Sequence, residues 1–251
     1  MVMNKRIIIM GATSGLGRAC AEDFIARGYT VGVCGRRTEE LEQIRAIAPD
    51  SVYAATIDIT NPDAEKQLLE LIERMGGLDI YFHVSGIGKN NIALNAELEL
   101  NTVRVNCEGF CRMVGCAYRY FRQNEVKGAQ IAVVSSIAGT KGLGAAPAYS
   151  ATKRMQNCYI QSLAQQCAIA KVDIAFTDIR PGFVATPLLD TNTHSYPMLM
   201  TTPYASRRIV RAIVARRRVA VIDWRYAILV AVWRCIPRCV WERLPIKAAE
   251  K

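Results

Sequence analysis

The sequence has few histidines, no Cys-x-x-Cys pair and no long apolar run. Its 2 histidines and 9 cysteines do not form a zinc-binding pattern, and an odd cysteine count does not suit a disulfide framework. Each uninterrupted apolar run is shorter than the roughly 18 residues that a membrane-spanning helix needs. Only the short apolar run 7–10 follows Lys5 and Arg6, which is not typical of a signal peptide. We therefore expect no metal site, free thiols and a cytoplasmic protein.

What the sequence has instead is the composition of a folded domain and an uneven charge. With 251 residues, 51% hydrophobic and 22% charged, the chain is long enough for one large domain with a substantial core. The net charge is +10, but residues 206–251 hold 12 Lys and Arg against 3 Asp and Glu, whereas the remaining residues hold 20 against 19. The basic character therefore belongs to the C-terminal part, where it suggests an anionic partner surface.

Short apolar segments alternate with helix-like segments over the first 180 residues. Strands are predicted at 6–10, 30–34, 52–57, 79–83, 130–135 and 172–179, with a last strand at 219–222. The clearest helices are predicted at 16–27, 62–74 and 97–124, the second with Pro62 in its first turn. Apolar strands separated by helices indicate a parallel sheet covered on both faces. We therefore predict an α/β fold in a single domain.

A glycine-rich segment follows the first predicted strand and reads Gly11-Ala12-Thr13-Ser14-Gly15-Leu16-Gly17. Glycine allows a tight turn and a close approach of the backbone to a ligand, and the helix that begins near Leu16 would point its first amide groups at an anion. Because the segment lies between a strand and a helix, it predicts a binding site for the pyrophosphate of a dinucleotide. The alternative is an ordinary glycine-rich turn.

Tyr149 and Lys153 are four residues apart, which puts both side chains on one face of a helix. A free phenol has a pKa of about 10, and a nearby ammonium group would lower it towards the range that acid–base catalysis needs. Ser136 lies 13 residues before Tyr149, at the end of a predicted strand. Neighbouring Ser135 is the other candidate. Because successive side chains of a strand point to opposite faces, only one of the two serines can face the site. Taken alone, the Tyr-Lys pair also fits an exposed amphipathic helix.

The Gly-x-x-x-Gly-x-Gly spacing at 11–17, together with Tyr149-Ser150-Ala151-Thr152-Lys153, resembles the short-chain dehydrogenase/reductase family. The resemblance extends over residues 5 to about 190, in the family's order and spacing. It implies a Rossmann-type, doubly wound parallel sheet in a catalytic domain at 1–222, followed by a helical C-terminal extension at 223–251. It also implies a nicotinamide cofactor and assembly as a homodimer or homotetramer.

The resemblance implies roles for four catalytic residues. Ser136 would hold the substrate carbonyl, and Tyr149 would deliver the proton as hydride moves from the cofactor. Lys153 and Asn106 would resupply that proton through water. For Asn106 a structural role stays open, since an amide inside a helix can bond to a backbone carbonyl and bend the helix. The expected activity is the interconversion of a carbonyl and a secondary alcohol.

The end of the second predicted strand indicates which nicotinamide cofactor binds. Gly35 stands where an NAD-binding site of this type has an acid. Arg36 follows it, and its guanidinium suits the 2′-phosphate of NADP(H). Arg18 adds positive charge nearby. Alternatively, Arg36 and Arg37 are simply an exposed pair in a loop.

Further cofactor contacts follow from the resemblance. Asp58 matches the family's adenine-contacting acid, with Ile59 beside it, although Asp58 also suits a helix cap or a turn. The fourth strand ends in His83-Val84-Ser85-Gly86, where the family usually has Asn-Asn-Ala-Gly, and we expect His83 to be structural. The predicted cofactor-binding residues are Gly11, Thr13, Ser14, Gly15, Leu16, Gly17, Arg36, Asp58, Ile59, Gly86, Tyr149, Lys153, Pro181, Gly182, Val184 and Thr186.

Residues 186–203 are expected to form a substrate lid. Their apolar side chains favour a hydrophobic ketone of the sterol, bile-acid or 3-keto lipid type. The alternative function is that of a catalytically weak, NADP-binding scaffold associated with a membrane.

The tail, residues 223–251, combines tryptophans and arginines around the apolar run 224–233. Such a segment suits a helix lying on an anionic membrane, which would make this a peripheral protein of the inner membrane face. The tail equally suits packing on the core or on a second subunit. Nucleic-acid binding is less well supported, because no recognition motif accompanies the charge.

Overall fold

A seven-stranded parallel sheet forms the centre of the computed structural model, which describes residues 5–189, 194–246 and 249–250. The strands in chain order are β1 (Arg6–Met10), β2 (Thr30–Gly35), β3 (Val52–Thr56), β4 (Ile80–His83), β5 (Ala129–Val134), β6 (Ile174–Pro181), β7 (His194–Ser195), β8 (Val219–Ile222) and β9 (Ala249–Glu250). The order across the sheet is β3-β2-β1-β4-β5-β6-β8, with every neighbouring pair parallel. β7 and β9 form a separate antiparallel pair.

Helices connect the strands and cover both faces of the sheet. They are α1 (Gly15–Ala26), α2 (Thr38–Arg45), α3 (Ala64–Arg74), α4 (Ala96–Val103), α5 (Phe110–Gln123), α6 (Pro147–Ala170), α7 (Thr202–Val214), α8 (Trp224–Cys235) and α9 (Arg238–Trp241). A π-helical turn, Arg104–Gly109, joins α4 to α5, and a 3-10 turn, Ile137–Thr140, follows β5. Within the described residues, no helix combines the length and the apolar character needed to cross a membrane.

The apolar core lies in two layers, one on each side of the sheet. Along β1 the buried side chains of Ile7 and Ile9 pack with α1, α2, α7 and α8, whereas Ile8 and Met10 pack with α3, α5 and α6. This alternation follows from the two-residue period of a strand, and because both faces of the sheet are covered, apolar side chains dominate on both. The predicted doubly wound, Rossmann-type α/β fold is therefore confirmed.

The strand order reverses between β1 and β4, which are neighbours in the sheet although two strands separate them along the chain. A reversal of this kind opens a crevice at the carboxyl ends of the strands, where doubly wound proteins bind their ligands. The glycine-rich segment after β1 and the segment 84–88 after β4 both lie at this edge. The fold thus brings the glycine-rich segment 11–17 and the predicted catalytic residues to the same edge of the sheet, at the carboxyl ends of its strands.

Several predicted boundaries were wrong by a few residues, and one predicted continuous helix is interrupted. The predicted helix 97–124 is divided into α4, the π-helical turn and α5. The helix predicted from Pro62 begins at Ala64, because the Asn61 side chain accepts a hydrogen bond from the amide of Asp63 and forms a turn first. All nine cysteines lie in the described part of the chain, and each is a free thiol.

Candidate active site

The glycine-rich segment after β1 forms a cradle that has no room for side chains. Gly11 has φ +100°, and a Cβ atom there would lie 2.7 Å from the Ser85 amide nitrogen. A Cβ atom at Gly17 would overlap the carbonyl oxygen of Gly11. Gly15 has φ +53°, and a Cβ atom there would lie 3.2 Å from the side chain of Thr186. Only glycine fits these positions, so that the backbone stays bare where a diphosphate would bind.

The amide groups at the start of α1 face the same cradle. Ser14 precedes the helix with an extended backbone, and within the described chain its side chain makes no capping hydrogen bond. The first N–H groups of a helix have no partner inside the helix and carry a partial positive charge. Thr13, Ser14 and Leu16 lie in this segment, whose bare backbone and free helix amides fit the diphosphate of a dinucleotide.

The end of β2 approaches the cradle through Gly35, where a Cβ atom would lie 2.6 Å from the methyl group of Thr13. Arg37, not Arg36, contacts the cradle, because its guanidinium donates to the Thr13 hydroxyl at 2.8 Å. Arg36 lies exposed at the rim. The charge of Arg18 is partly balanced by an ion pair with Glu22 at 3.1 Å.

Asp58 forms a turn with Thr60, as the structural alternative for this residue suggested. Its carboxylate accepts hydrogen bonds from the Thr60 amide at 2.9 Å and from the Thr60 hydroxyl at 2.8 Å. Partial burial alone would raise the pKa of Asp58, but these two hydrogen bonds and the nearby charge of Arg36 lower it overall. Ile59 is buried beneath Gly109. Asp58 therefore lies in a turn whose carboxylate is stabilised mainly by Thr60, with a smaller contribution from the charge of Arg36.

The end of β4 carries a buried histidine that contacts other side chains of the core. His83 is hydrogen-bonded to the Tyr81 hydroxyl at 3.0 Å and packs edge-on against Phe110. Burial, and secondarily the charge of Lys153, lowers the pKa of His83 to about 3, so the ring is neutral at physiological pH. Gly86 follows, and a Cβ atom there would lie 3.2 Å from the Lys153 amine. Gly86 therefore leaves open the approach to that amine.

Tyr149 is positioned by the cap of α6. Pro147 is the first residue of the helix, and the carboxylate of Glu99 accepts a hydrogen bond from the amide of Ala148 at 3.0 Å. Asn91 donates to the other oxygen of that carboxylate at 2.8 Å. A carboxylate at a helix N-terminus satisfies a free amide and complements the helix dipole. Tyr149 therefore lies in a first turn that α4 holds in place.

Ser136, rather than Ser135, lies on the side of Tyr149. The Ser135 hydroxyl points into the sheet, where it donates to Asp178 at 2.5 Å. Ser136 begins the 3-10 turn, and its side chain accepts from the amide of Ala138 at 3.1 Å. Burial raises the pKa of Tyr149, and the hydroxyl of Ser136 opposes this rise. The choice that strand alternation left open thus falls on Ser136.

Lys153 is buried and held by two acceptors. Its amine donates to the Val134 carbonyl at 3.0 Å and to the Gln156 side chain at 3.1 Å, and it lies 5.8 Å from the centre of the Tyr149 ring. Burial lowers the pKa of Lys153 to about 8, against the opposing effect of Asp178. The expected lowering of the pKa of Tyr149 is not seen here, because burial raises it by more than the hydrogen bond with Ser136 lowers it.

Asn106 lies in the π-helical turn, completely buried. Its side chain accepts from the Ile87 amide at 2.9 Å, donates to the Ile87 carbonyl at 2.7 Å and donates to the Thr152 hydroxyl at 3.1 Å. π-Helical turns are rare and concentrate at functional sites. Asn106 thus fastens the segment after β4 to the helix that carries Tyr149 and Lys153.

The segment after β6 closes the crevice opposite the cradle. Pro181 ends β6, and the buried Val184 pairs with Met200. Thr186 lies against Gly15, as noted above, and Gly182 packs flat on the ring of Tyr226 from α8, where a Cβ atom would overlap the ring. Of the predicted nicotinamide-binding residues of this segment, Thr186 therefore lies beside the glycine cradle.

Comparison with known proteins identifies the family. A family model described as short chain dehydrogenase matches residues 5–197. The chain belongs to this family. Its members use a nicotinamide cofactor, bind small substrates and commonly form oligomers.

Three relatives of this short-chain dehydrogenase agree on the type of reaction. An uncharacterized oxidoreductase of Myxococcus xanthus is 28% identical over 246 residues, which cover 94% of each chain. Another, of Mycobacterium tuberculosis, is 29% identical over 247 residues, covering 94% of this chain and 95% of the relative. A third, of Listeria monocytogenes, is 32% identical over 199 residues, covering 76% and 79%. The present short-chain dehydrogenase is accordingly an oxidoreductase.

The short-chain dehydrogenase contains site residues that sequence reasoning missed. Gly88 packs directly on the face of Tyr149, where a Cβ atom would overlap the ring. Gln156 lies between Lys153 and the π-helical turn. The position of Gln156, three residues after Lys153 on the same helix, could have indicated its proximity. Gly88 is separated from Tyr149 by 60 residues, and no local pattern reveals that contact.

The tail of the short-chain dehydrogenase packs on loops that border the active site. The indole of Trp241 donates to the Gly142 carbonyl at 2.7 Å, and Lys141 donates to the Ile236 carbonyl at 2.8 Å. Trp233 packs edge-on against Trp241, with ring centres 5.2 Å apart. Two of the three tail tryptophans therefore contact the protein, as the packing alternative predicted, while Trp224 is 67% exposed.

Proposed function

We propose that this short-chain dehydrogenase is an NADP(H)-dependent enzyme that interconverts a carbonyl and a secondary alcohol, with Tyr149 as the general acid and base. The observation that carries this conclusion is the convergence of Ser136, Tyr149 and Lys153 beside a cradle that only glycines can form. Two hydroxyl groups next to an amine can hydrogen-bond an alkoxide oxygen as it forms and give it a proton.

The glycine cradle and the segment 181–186 are the parts that would hold the cofactor. When bound, a nicotinamide supplies hydride for reduction or accepts it for oxidation. The cradle presents bare backbone and helix amides for the diphosphate, and Thr186 closes it from the opposite side. The residues proposed to bind the cofactor are Gly11, Thr13, Ser14, Gly15, Leu16, Gly17, Arg36, Asp58, Ile59, Gly86, Tyr149, Lys153, Pro181, Gly182, Val184 and Thr186.

The protein's own residues account for the proton that accompanies the hydride. Ser136 and Tyr149 would each donate a hydrogen bond to the carbonyl oxygen as negative charge develops on it. Because burial raises the pKa of Tyr149, its phenol is protonated at neutral pH and ready to act as the acid in reduction. Lys153, held by Val134 and Gln156, stabilises the phenolate that remains.

A preference for NADP(H) is supported by charge at the end of β2. Gly35 provides no carboxylate that would repel a 2′-phosphate, and Arg36 and Arg37 are exposed beside the cradle. The charge of Arg36 also helps to lower the pKa of Asp58, which supports a positive potential near the proposed adenosine-contacting acid.

The segment that follows Thr186 favours a hydrophobic substrate of the sterol, bile-acid or 3-keto lipid type. Of the predicted lid, residues 190–193 lie outside the described residues. Around that gap, Leu188 and Leu199 are exposed, while Phe183 packs against Tyr196 with ring centres 4.8 Å apart. An apolar, adaptable lining binds ligands mainly through burial of their surface.

The decisive experiment is NADPH oxidation against a panel of ketones from cyclohexanone to a 3-keto steroid, with wild type and Tyr149→Phe. We expect wild type to reduce the larger ketones, and Tyr149→Phe to lose about 10²–10⁴-fold in kcat, the usual contribution of a general acid. The variant should still bind NADPH, measured by the fluorescence of the cofactor. Retained turnover would refute the role of Tyr149, and NADPH binding without turnover by wild type would instead favour the scaffold.

A peripheral contact with an anionic membrane at the cytoplasmic face is supported by one face of α8. Trp224, Ile228 and Val232 recur every four residues and are 67%, 57% and 54% exposed, whereas Tyr226 and Val230 on the other face are buried. Arg225 and Arg234 lie beside this stripe. Exposed tryptophan and aliphatic side chains flanked by arginines are typical of interfacial helices.

A further inference from the structure

Gln156 bridges two parts of the active site and is completely buried. Its carboxamide oxygen accepts a hydrogen bond from the Lys153 amine at 3.1 Å, and its nitrogen donates to the Asn106 carbonyl at 2.9 Å. The two contacts determine the orientation of the amide, because the ammonium can only donate and the carbonyl can only accept. Both ends of a buried amide need partners, and here both partners belong to the proposed catalytic set.

The π-helical turn makes this bridge possible. In a regular α-helix the amide of Phe110 would bond to the carbonyl of Asn106, four residues earlier. In a π-helical turn the amides bond to carbonyls five residues earlier, so the Phe110 amide reaches past Asn106 and leaves its carbonyl free. The Asn106 carbonyl therefore accepts the hydrogen bond from Gln156, which sits on α6 one turn after Lys153. The π-helical turn frees the Asn106 carbonyl, and Gln156 satisfies it.

Other groups surround the Lys153 amine from several elements. Asp178 of β6 and Cys107 of the π-helical turn favour the charged form of the amine. The charge of the amine in turn helps to lower the pKa of His83 of β4. Tyr149 lies on the same helix. Asp178 is already ion-paired with Arg180 at 2.5 Å. Gln156 is thus the side chain in direct hydrogen-bond contact with the amine among the described residues.

We propose that Gln156 is a positioning residue that fixes the Lys153 amine beside Gly86 and Tyr149 and links it directly to the Asn106 carbonyl. This role rests on the proposed function of Lys153. The carboxamide thus joins the Lys153 amine to the Asn106 carbonyl through two direct hydrogen bonds. A carboxamide is not an acid or base at ordinary pH, so the bridge anchors the amine rather than carrying protons.

Substitutions that change the acceptor should shift the pH dependence of catalysis. Gln156→Glu places a carboxylate on the ammonium and should move the lysine-dependent limb of the kcat profile upward by about one pH unit or more. Gln156→Met keeps the length but removes the acceptor and should move that limb downward. The rate would be measured with NADPH and the ketone that wild type reduces fastest. Gln165→Glu and Gln165→Met, at an exposed position of α6, are matched controls.

A second measurement is independent of catalysis. The pKa of Lys153 is lowered to about 8 in the fold, whereas an unfolded lysine titrates near 10.4. The unfolded chain thus binds the proton more tightly, and stability should rise between about pH 8 and about pH 10.4. Gln156→Glu should narrow this window from its lower end, and Gln156→Met should extend it downward. Chemical denaturation across this pH range measures both effects. In a Lys153→Met background the rise of stability with pH that is due to this lysine, and its dependence on residue 156, should disappear.

The outcomes separate the bridge from the proposed function. If no variant turns over any ketone but the stability windows shift as described, the bridge stands and the proposed function fails. If wild type is active and the Gln156 variants change neither profile, the inference is overturned. A shift that also appears in the Gln165 variants would overturn it too. Should Gln156→Met fail to fold, Gln156→Glu still decides, since it preserves the size and an acceptor.

Discussion

At the scale of single residues, the site depends on groups whose partners are far away in the chain. Ser135 and Ser136 are adjacent, yet one is bonded to Asp178 in the sheet and the other faces Tyr149. Asn106 is held by three hydrogen bonds to Ile87 and Thr152. Each polar side chain is thereby assigned one orientation, and substitution of any of these residues would leave a buried group without a partner.

Arg36 gives the residue-scale prediction. Arg36→Asp should lower the ratio of kcat/KM for NADPH to that for NADH by about tenfold or more, since loss of a charge-assisted hydrogen bond and repulsion of the 2′-phosphate both act on NADPH alone. Steady-state kinetics with the two cofactors measure the ratio.

Arg37→Asp is the informative comparison, because Arg37 is hydrogen-bonded to Thr13 and ion-paired with Glu40 at 3.2 Å. An unchanged ratio in Arg36→Asp together with a changed ratio in Arg37→Asp would assign recognition of the 2′-phosphate to Arg37 instead.

Much of the residue-level site could be predicted because it lies in short motifs. The glycines at 11–17 and the pair Tyr149 and Lys153 are close in sequence, so spacing alone brings them together. The raised pKa of Tyr149 could not be predicted, because it depends on burial, and burial depends on tertiary packing. Gly88 was missed for the same reason: its role is defined by the ring that lies on it.

At the scale of elements, the strands were predicted well and the helix boundaries less well. Buried parallel strands give uninterrupted apolar runs, which stand out in any sequence. A π-helical turn adds one residue to a helical turn and leaves the apolar pattern nearly intact, so 97–124 read as one helix. The turn is held by a contact from α6, the hydrogen bond of Gln156 to Asn106, which the sequence of the segment itself does not contain.

α8 gives the element-scale prediction through Tyr226. Its hydroxyl accepts from the Phe183 amide at 3.1 Å and donates to the Pro197 carbonyl at 2.9 Å. Tyr226→Phe should lower the free energy of unfolding by about 0.5–1.5 kcal/mol, because it removes the hydrogen bonds of the hydroxyl to the half-buried Phe183 amide and to the Pro197 carbonyl. It should also raise KM for the ketone more than it lowers kcat.

Urea denaturation and steady-state kinetics test both effects. Tyr29→Phe, where the ring packs edge-on against Phe24, is the matched control. Equal losses of stability in the two variants would show that the hydroxyl of Tyr226 has no special role.

At the scale of the whole molecule, the arginines of the basic C-terminal part have different surroundings. Arg216 donates to the carbonyls of Gly128 and Ala129 and so holds the loop before β5. Other arginines, such as Arg234, Arg238 and Arg243, are exposed. The sequence showed that the charge was concentrated, but not which arginines the fold uses, because that depends on which carbonyls come within reach.

The stripe of α8 gives the whole-molecule prediction. The full chain should sediment with phosphatidylserine-containing vesicles and less with phosphatidylcholine alone, and added salt should weaken binding. A variant with Trp224→Ser, Ile228→Ser and Val232→Ser should bind less, since these exposed side chains supply the apolar contact. Leu94→Ser with Leu100→Ser, also exposed, is the control. Absence of the wild-type protein from both vesicle pellets would reject the membrane contact.

The contacts of Tyr226 and Trp241 have a consequence for biosynthesis. In a chain emerging from the ribosome the glycine-rich segment is made first, but its neighbours Ser85 and Thr186 follow later, and the loops near the site acquire their anchors only when α8 and α9 have been made. A product that ends before α8 would therefore lack the contacts that hold Phe183 and Pro197. The surroundings of the proposed site are thus completed only with the final stretch of translation.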